Sequence, residues 1–109
     1  MDVVTPRRFD VFLVKLDPAR GAEMQKTRPC VVVSPNESNT MLRTVVIAPL
    51  TSKPRSYPGR VGVMFQRQAG ELATDQLRAV DKTRLIRKVG AIEAADQARI
   101  SAALVEFFS

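Results

Sequence analysis

Phe9-Asp10-Val11-Phe12-Leu13-Val14-Lys15-Leu16, then Asp17-Pro18-Ala19-Arg20-Gly21-Ala22-Glu23-Met24-Gln25-Lys26-Thr27, then Arg28-Pro29-Cys30-Val31-Val32-Val33-Ser34: two apolar runs around a charged loop decide how this chain folds. The first run is aromatic and β-branched and largely apolar on both faces, so it reads as a strand buried for much of its length. Asp17-Pro18 breaks it. The second run reads as a strand that Pro29 opens, at a position where a missing N–H is tolerated. The connection between them, residues 17–29, exceeds the roughly two to six residues of most loops. It carries Arg20, Glu23, Lys26 and Arg28 beyond its opening Asp17. A long charged loop held at both ends by apolar strands is a common way to present function on a rigid scaffold. Read alone, it fits a solvated, inert connection equally well.

Outward from this hairpin, residues 1–8 read as a short tail. Pro35-Asn36-Glu37-Ser38-Asn39 reads as a turn-rich loop. Residues 43–50 make a third strand, with Pro49 near its end. Residues 51–59, with two prolines, Lys53 and Arg55, read as a mobile basic loop. A strand over 60–65 and a loop over 66–71 follow. Residues 72–80 read as one strand, because Thr74, Gln76 and Arg78 recur with period two. A turn at 81–84 leads to a last strand over 85–89, closed by Gly90. Residues 93–108 form the one helix. Ile100, Ala103, Leu104, Phe107 and Phe108 fall on a single stripe, and Glu93 and Asp96 sit where the helix dipole favours negative charge. The expectation is a mainly β single domain spanning 1–109: a small, strongly bent antiparallel sheet or barrel with a C-terminal helix laid on it or plugging an open end. So small a barrel has little interior, which puts function on its surface loops.

Composition narrows the chemistry. The chain has 109 residues, enough for one hydrophobic core, and 45% hydrophobic with 26% charged residues is ordinary for a globular protein. Lys and Arg number 17 against 11 Asp and Glu, a net charge of +6, and this favours an anionic partner. There is no histidine, which removes histidine metal sites and histidine-based triads or dyads. The single Cys30, inside an apolar run, reads as buried and inert and allows no internal disulfide. The start lacks the apolar core of a signal peptide, and no apolar run approaches the ~20 residues of a membrane span. A cytoplasmic protein without a membrane partner is expected.

Three polar clusters invite phosphate chemistry. They are Glu23, Lys26, Thr27 and Arg28 at the end of the first loop; Thr51, Ser52 and Lys53 after a buried strand; and Asp75, Gln76 and Arg78 in an otherwise apolar strand. An arginine fork suits a phosphodiester, hydroxyls donate to its oxygens, and a carboxylate can act as general acid or base. The acidic residues lack metal-ligand spacing, and no glycine-rich phosphate loop occurs, so neither metal nor cofactor is expected. RNA carries its own nucleophile in the 2′-hydroxyl, so its cleavage needs only a base, a charge stabiliser and an acid.

These residues, in this order, resemble the MazF/PemK family of toxin endoribonucleases. The resemblance rests on residues 9–14, Leu16-Asp17-Pro18, Arg20-Gly21-Ala22-Glu23 and Lys26-Thr27-Arg28-Pro29. It continues through Ala48-Pro49-Leu50-Thr51-Ser52, residues 75–85 and Val89-Gly90-Ala91-Ile92 to the closing helix. It implies an SH3-like β-barrel of the CcdB/PemK kind, a homodimer, and metal-independent cleavage of single-stranded RNA at short sequences. It also implies a MazE-like antitoxin whose acidic tail lies along the RNA groove. By position, Arg28, Thr51, Glu23 and Asp75 become the catalytic candidates. Lys26, Thr27, Ser52, Lys53, Gln76 and Arg78 are the substrate-binding ones. The chain departs from the family pattern at Ala22, which offers no hydroxyl, and at Thr74, which stands where some members have an arginine. The division of acid and base between Glu23 and Asp75 stays open. Two other readings fit the same barrel: a CcdB-like gyrase poison, which the absence of tryptophan disfavours, and an RNA-binding barrel without catalysis.

Overall fold

β3 (Thr44–Thr51) is the hinge on which the sheet curls. In the computed structural model, which describes residues 5–109, it follows β1 (Asp10–Lys15), β2 (Thr27–Val32) and a short α1 (Asn36–Met41). It precedes β4 (Val61–Phe65), β5 (Gln68–Leu72), β6 (Arg78–Asp81), β7 (Leu85–Ala91) and α2 (Ala94–Phe107). The strands form one antiparallel sheet in the order β4-β5-β3-β2-β1-β7, with β6 also on β3. On one edge β3 meets β2 through Ile47, Ala48 and Pro49. On the other it pairs with β6 from Thr44 to Ile47 and with β5 at Leu50 and Thr51. Pro49 has no N–H to offer and falls where the partner changes, while its carbonyl accepts the Ala73 N–H at 2.9 Å. Expected and observed fold agree: an antiparallel sheet rolled into a half-barrel, with a terminal helix.

Strict alternation along β1, β2 and β3 sorts the apolar side chains into two cores. Val11, Val31, Ala48 and Leu50 join Val61, Val63, Leu72 and Ile100 on one face. Phe12, Val14, Cys30, Val32, Val45, Ile47 and Val80 fill the other. These three strands are therefore buried on both sides, as the apolar first run implies. α2 packs over β4 and drives Ile100 fully into the first core. Its stripe does not run as far as expected. Ala103 and Leu104 touch the core, whereas Phe107 and Phe108 are 43% and 71% exposed. Phe107 covers Gly59 instead, so closely that a Cβ there would lie 2.9 Å from its ring.

Several local readings change. Residues 35–39 do not form a loop: they enter α1, and the buried Asn39 side chain holds Ser34 through its hydroxyl (2.5 Å) and carbonyl (2.9 Å). The stretch read as a loop over 66–71 is mostly β5, joined to β4 by a tight turn at Gln66 and Arg67 with φ of 50° and 63°. That is the type I′ hairpin geometry, usually signalled by Asn-Gly and here hidden behind two long side chains. The strand expected over 72–80 is broken by a 3-10 turn at Thr74–Gln76. There Thr74 Oγ1 donates to Gly59 O at 2.5 Å, so Thr74 and Gln76 answer to tertiary partners, and the strand resumes only at Arg78 as β6. In the stretch read as a tail, residues 1–4 lie outside the described residues. Pro6 is buried, and the Arg7 N–H donates to Asp10 Oδ2 at 2.8 Å.

Candidate active site

The loop between β1 and β2 is fastened at its base and near its tip. Leu16 N donates to Lys26 O, and Lys26 N to Asp17 Oδ1, each at 2.9 Å. Arg78 Nη1 donates to Leu16 O at 2.6 Å and Arg84 Nη1 to Lys15 O at 3.1 Å, so two guanidinium groups clamp the end of β1. Near the tip, Met24 N donates to Gln76 Oε1 at 3.2 Å. Arg78 and Gln76 thus spend hydrogen bonds on holding the loop. Glu23 is exposed and its Oε1 accepts the Arg20 N–H at 2.6 Å, a contact inside the loop itself.

The loop's far end delivers Arg28 into β2 opposite Val14, half-buried, with Nε donating to Gln25 O at 3.2 Å. Thr51 ends β3, and its Oγ1 accepts the Lys53 N–H at 3.1 Å. Arg28, Thr51 and Ser52 together line two adjoining cavities. One, of about 360 Å³, also takes in Lys26, Thr27, Phe65 and Gly70. The other, of about 630 Å³, takes in Lys53, Arg55, Tyr57, Arg60, Asp75 and Gln76. Gly70 is needed there, since a Cβ would stand 3.0 Å from Thr51 O. A third hollow, of about 380 Å³, shares Met24, Asp75 and Gln76 with the second and is lined by Glu23 and Arg78. The second cavity thus adjoins both of the others in one groove, with Arg28 and Thr51 where the first two meet and Glu23 in the third.

Asp75 is not free to the groove. Its carboxylate is forked by Arg60, Nε to Oδ1 at 2.7 Å and Nη2 to Oδ2 at 3.1 Å. Arg60 Nη1 also reaches Glu71 Oε1 at 3.2 Å, and its side chain is 4% exposed. The Arg60 hydrogen bond is the main reason Asp75 is held below the usual carboxylate range. Burial pushes Glu71 up, but the N–H groups of Arg55 and Ser56 and the single Arg60 Nη1 hydrogen bond outweigh it, and Glu71 too is lowered. Arg60, in return, is raised chiefly by Asp75. No periodic signal marks Arg60 in the sequence; the pairing Val61↔Leu72 is what carries it to the two acids. Cys30 is buried as expected, and burial pushes its thiol up to about 12 despite Arg28 and Arg78 nearby. Among the described residues, no group of three or more Cys, Asp or Glu side chains is placed to hold a metal ion, and no helix is long and apolar enough to cross a membrane.

Fold and groove together define a small basic half-barrel that gathers its arginines and hydroxyls on the loops around one cleft. Residues 7–108 match the family described as PemK-like, MazF-like toxin of type II toxin–antitoxin system, and the chain belongs to that family. It is similar to endoribonuclease MazF9 of Mycobacterium tuberculosis, 34% identical over 111 residues that span 90% of this chain and 92% of that protein. It is 31% identical to the endoribonuclease toxin MazF of Escherichia coli K12 over 75 residues, 69% of this chain and 68% of the other. In three dimensions it resembles MazF of Deinococcus radiodurans, with a TM-score of 0.85 over 97% of this chain and 98% of that one at 22% identity. A mycobacterial endoribonuclease in complex with its cognate antitoxin superposes with a TM-score of 0.79 over 94% of both chains at 25% identity.

Proposed function

We propose that this chain is the toxin endoribonuclease of a toxin–antitoxin pair, cutting single-stranded RNA, in particular mRNA, at a short specific sequence without a metal ion. The observation that carries this reading is the meeting of Arg28 and Thr51 in one cation-lined groove, in a chain of this family. Arg28 is a permanent cation with a forked set of donors. It binds the scissile phosphate and stabilises the charge that grows on its oxygens, and the Thr51 hydroxyl donates alongside it. The RNA 2′-hydroxyl gives its proton to a carboxylate, O2′ bonds to phosphorus, and the P–O5′ bond breaks. The leaving oxygen takes a proton from water in the open groove, leaving a 2′,3′-cyclic phosphate and a 5′-hydroxyl. Asp75, kept ionised by Arg60, is a weak base and a poor acid near neutral pH. Glu23 is the carboxylate left to accept the proton, and it must swing from Arg20 toward the adjoining compartment to do so.

The same groove accounts for the expected antitoxin. An acidic segment would be drawn to Lys26, Arg28, Lys53 and Arg55 and would compete with RNA. The homodimer and the cytoplasmic location are carried by the family resemblance, and light scattering of the purified chain checks the first. The decisive experiment is end-mapping of RNA after incubation with purified protein in EDTA. Wild type should yield cyclic-phosphate ends at one short motif, and Arg28→Ala should lose about a hundredfold or more in rate. Arg28→Lys should not restore it, because an ammonium lacks the planar fork. RNA bound but left intact would make the chain a non-catalytic RNA-binding barrel.

A further inference from the structure

Tyr57 occupies the connection between β3 and β4, within residues 51–59, which from sequence alone read as a mobile loop. The structure fixes it at several points. Both oxygens of the buried Glu71 accept backbone N–H groups, from Arg55 at 3.0 Å and Ser56 at 3.2 Å. Arg60 N donates to Tyr57 O at 3.1 Å, closing a turn. Thr74 and Phe107 secure Gly59. Tyr57 is thereby presented from a corner that hydrogen bonds and the Phe107 ring hold on both sides. The Arg60 guanidinium lies over its ring, 4.7 Å from the centroid, and is itself almost fully buried. Half of the Tyr57 surface, 51%, is nevertheless exposed, and it lines the compartment that holds Arg28 and Thr51.

An aromatic ring with a cation against it and much of its surface left open, beside a phosphate-binding arginine, suits a flat heteroaromatic partner. We propose that Tyr57 is a stacking platform for one nucleobase of the RNA, next to the scissile phosphate, and that Arg60 positions it. This rests on the endoribonuclease reading of the groove. A base is favoured over other flat ligands because Arg28 would anchor the sugar–phosphate chain that carries it. Single-stranded RNA is read largely by such stacking of unpaired bases on aromatic side chains. Ordering by Glu71, Thr74 and Phe107 before RNA arrives lowers the conformational cost of making the stack.

The chain contains one tyrosine and no tryptophan, so its ultraviolet emission reports Tyr57 alone. The probe is an oligoribonucleotide of the mapped cleavage motif, made uncleavable by a 2′-deoxy residue at the scissile position. Binding should quench the emission. Removing the base at one position beside the cut should abolish the quench and weaken binding about tenfold. Tyr57→Ala should bind the complete oligonucleotide about tenfold more weakly and the one lacking that base no worse still, whereas Tyr57→Phe stays within about twofold of wild type. Binding with unchanged emission would overturn the proposal. So would losses from Tyr57→Ala and from the missing base that simply multiply at every position. Quenching by RNA that is never cut would uphold the stack and remove the endoribonuclease reading. RNA neither bound nor cut by wild type would overturn both.

Discussion

Asp75 shows how much a residue's role depends on what lies against it. The family resemblance makes it a catalytic candidate, as acid or base, and the Arg60 fork also ties it to the residue that closes the turn after Tyr57; in the mechanism proposed above it serves as an anchor. Asp75→Asn should therefore raise KM and reduce stability by about 1 kcal/mol, a modest value because the pair is partly solvated. The shape of the pH–rate profile should not change; loss of its acidic limb with KM intact would return proton transfer to Asp75. Glu71 makes the companion case. Its folded-state pKa lies below the usual carboxylate value, so its stabilising contribution is present above the unfolded value, near pH 4, and fades as pH falls toward the lowered one. The difference in Tm between wild type and Glu71→Gln should be widest near neutral pH and shrink below about pH 4. Arg28 and Thr51 were legible in the sequence as polar residues beside apolar strands, and the structure brings both to one groove; their proposed roles come from the family resemblance. Arg60 was not, because its meaning lies in Glu71 and Asp75, which come after it in the chain and reach it only through the sheet.

At the scale of elements, the strands that were easiest to read are those whose residues alternate between two cores, β1, β2 and β3. β5 was missed because its turn carries none of the residues that favour positive φ. Arg67 holds φ of 63° with a full side chain, at a cost that glycine avoids. Arg67→Gly should therefore stabilise the protein by about 0.5–1 kcal/mol, after allowing for the greater freedom of glycine in the unfolded chain, and raise Tm by a few degrees. An unchanged or lowered Tm would mean that the Arg67 side chain stabilises the hairpin in another way. α2 was legible as a helix from its alanines and its stripe. Where the stripe stops being core was not, because Phe107 meets Gly59 in the connection after β3 and not the core.

For the whole molecule, Lys26, Arg28, Lys53 and Arg55, four of the cations behind the net charge of +6, line one groove, which suits the anionic partner proposed above. Binding of single-stranded RNA should weaken linearly in log–log coordinates with salt, by about 0.7 in slope for each phosphate neutralised. Lys53→Ala should lower that slope by about one such step while leaving the Tm unchanged; an unaltered slope would place Lys53 outside the RNA path. The sequence by itself determined the class of fold, the limits of the terminal helix, the basic surface and the absence of histidine chemistry. These follow from composition and from periods of two and of 3.6, which local burial writes directly into the chain. Only the tertiary structure decided that β3 changes partner at Pro49 and that Gln76 and Arg78 hold the opening loop. It alone set Glu23 one compartment from Arg28 and buried Arg60 beneath Tyr57. Each of those contacts joins residues from separate elements, and their distance depends on strand register and sheet curl, which no local pattern encodes.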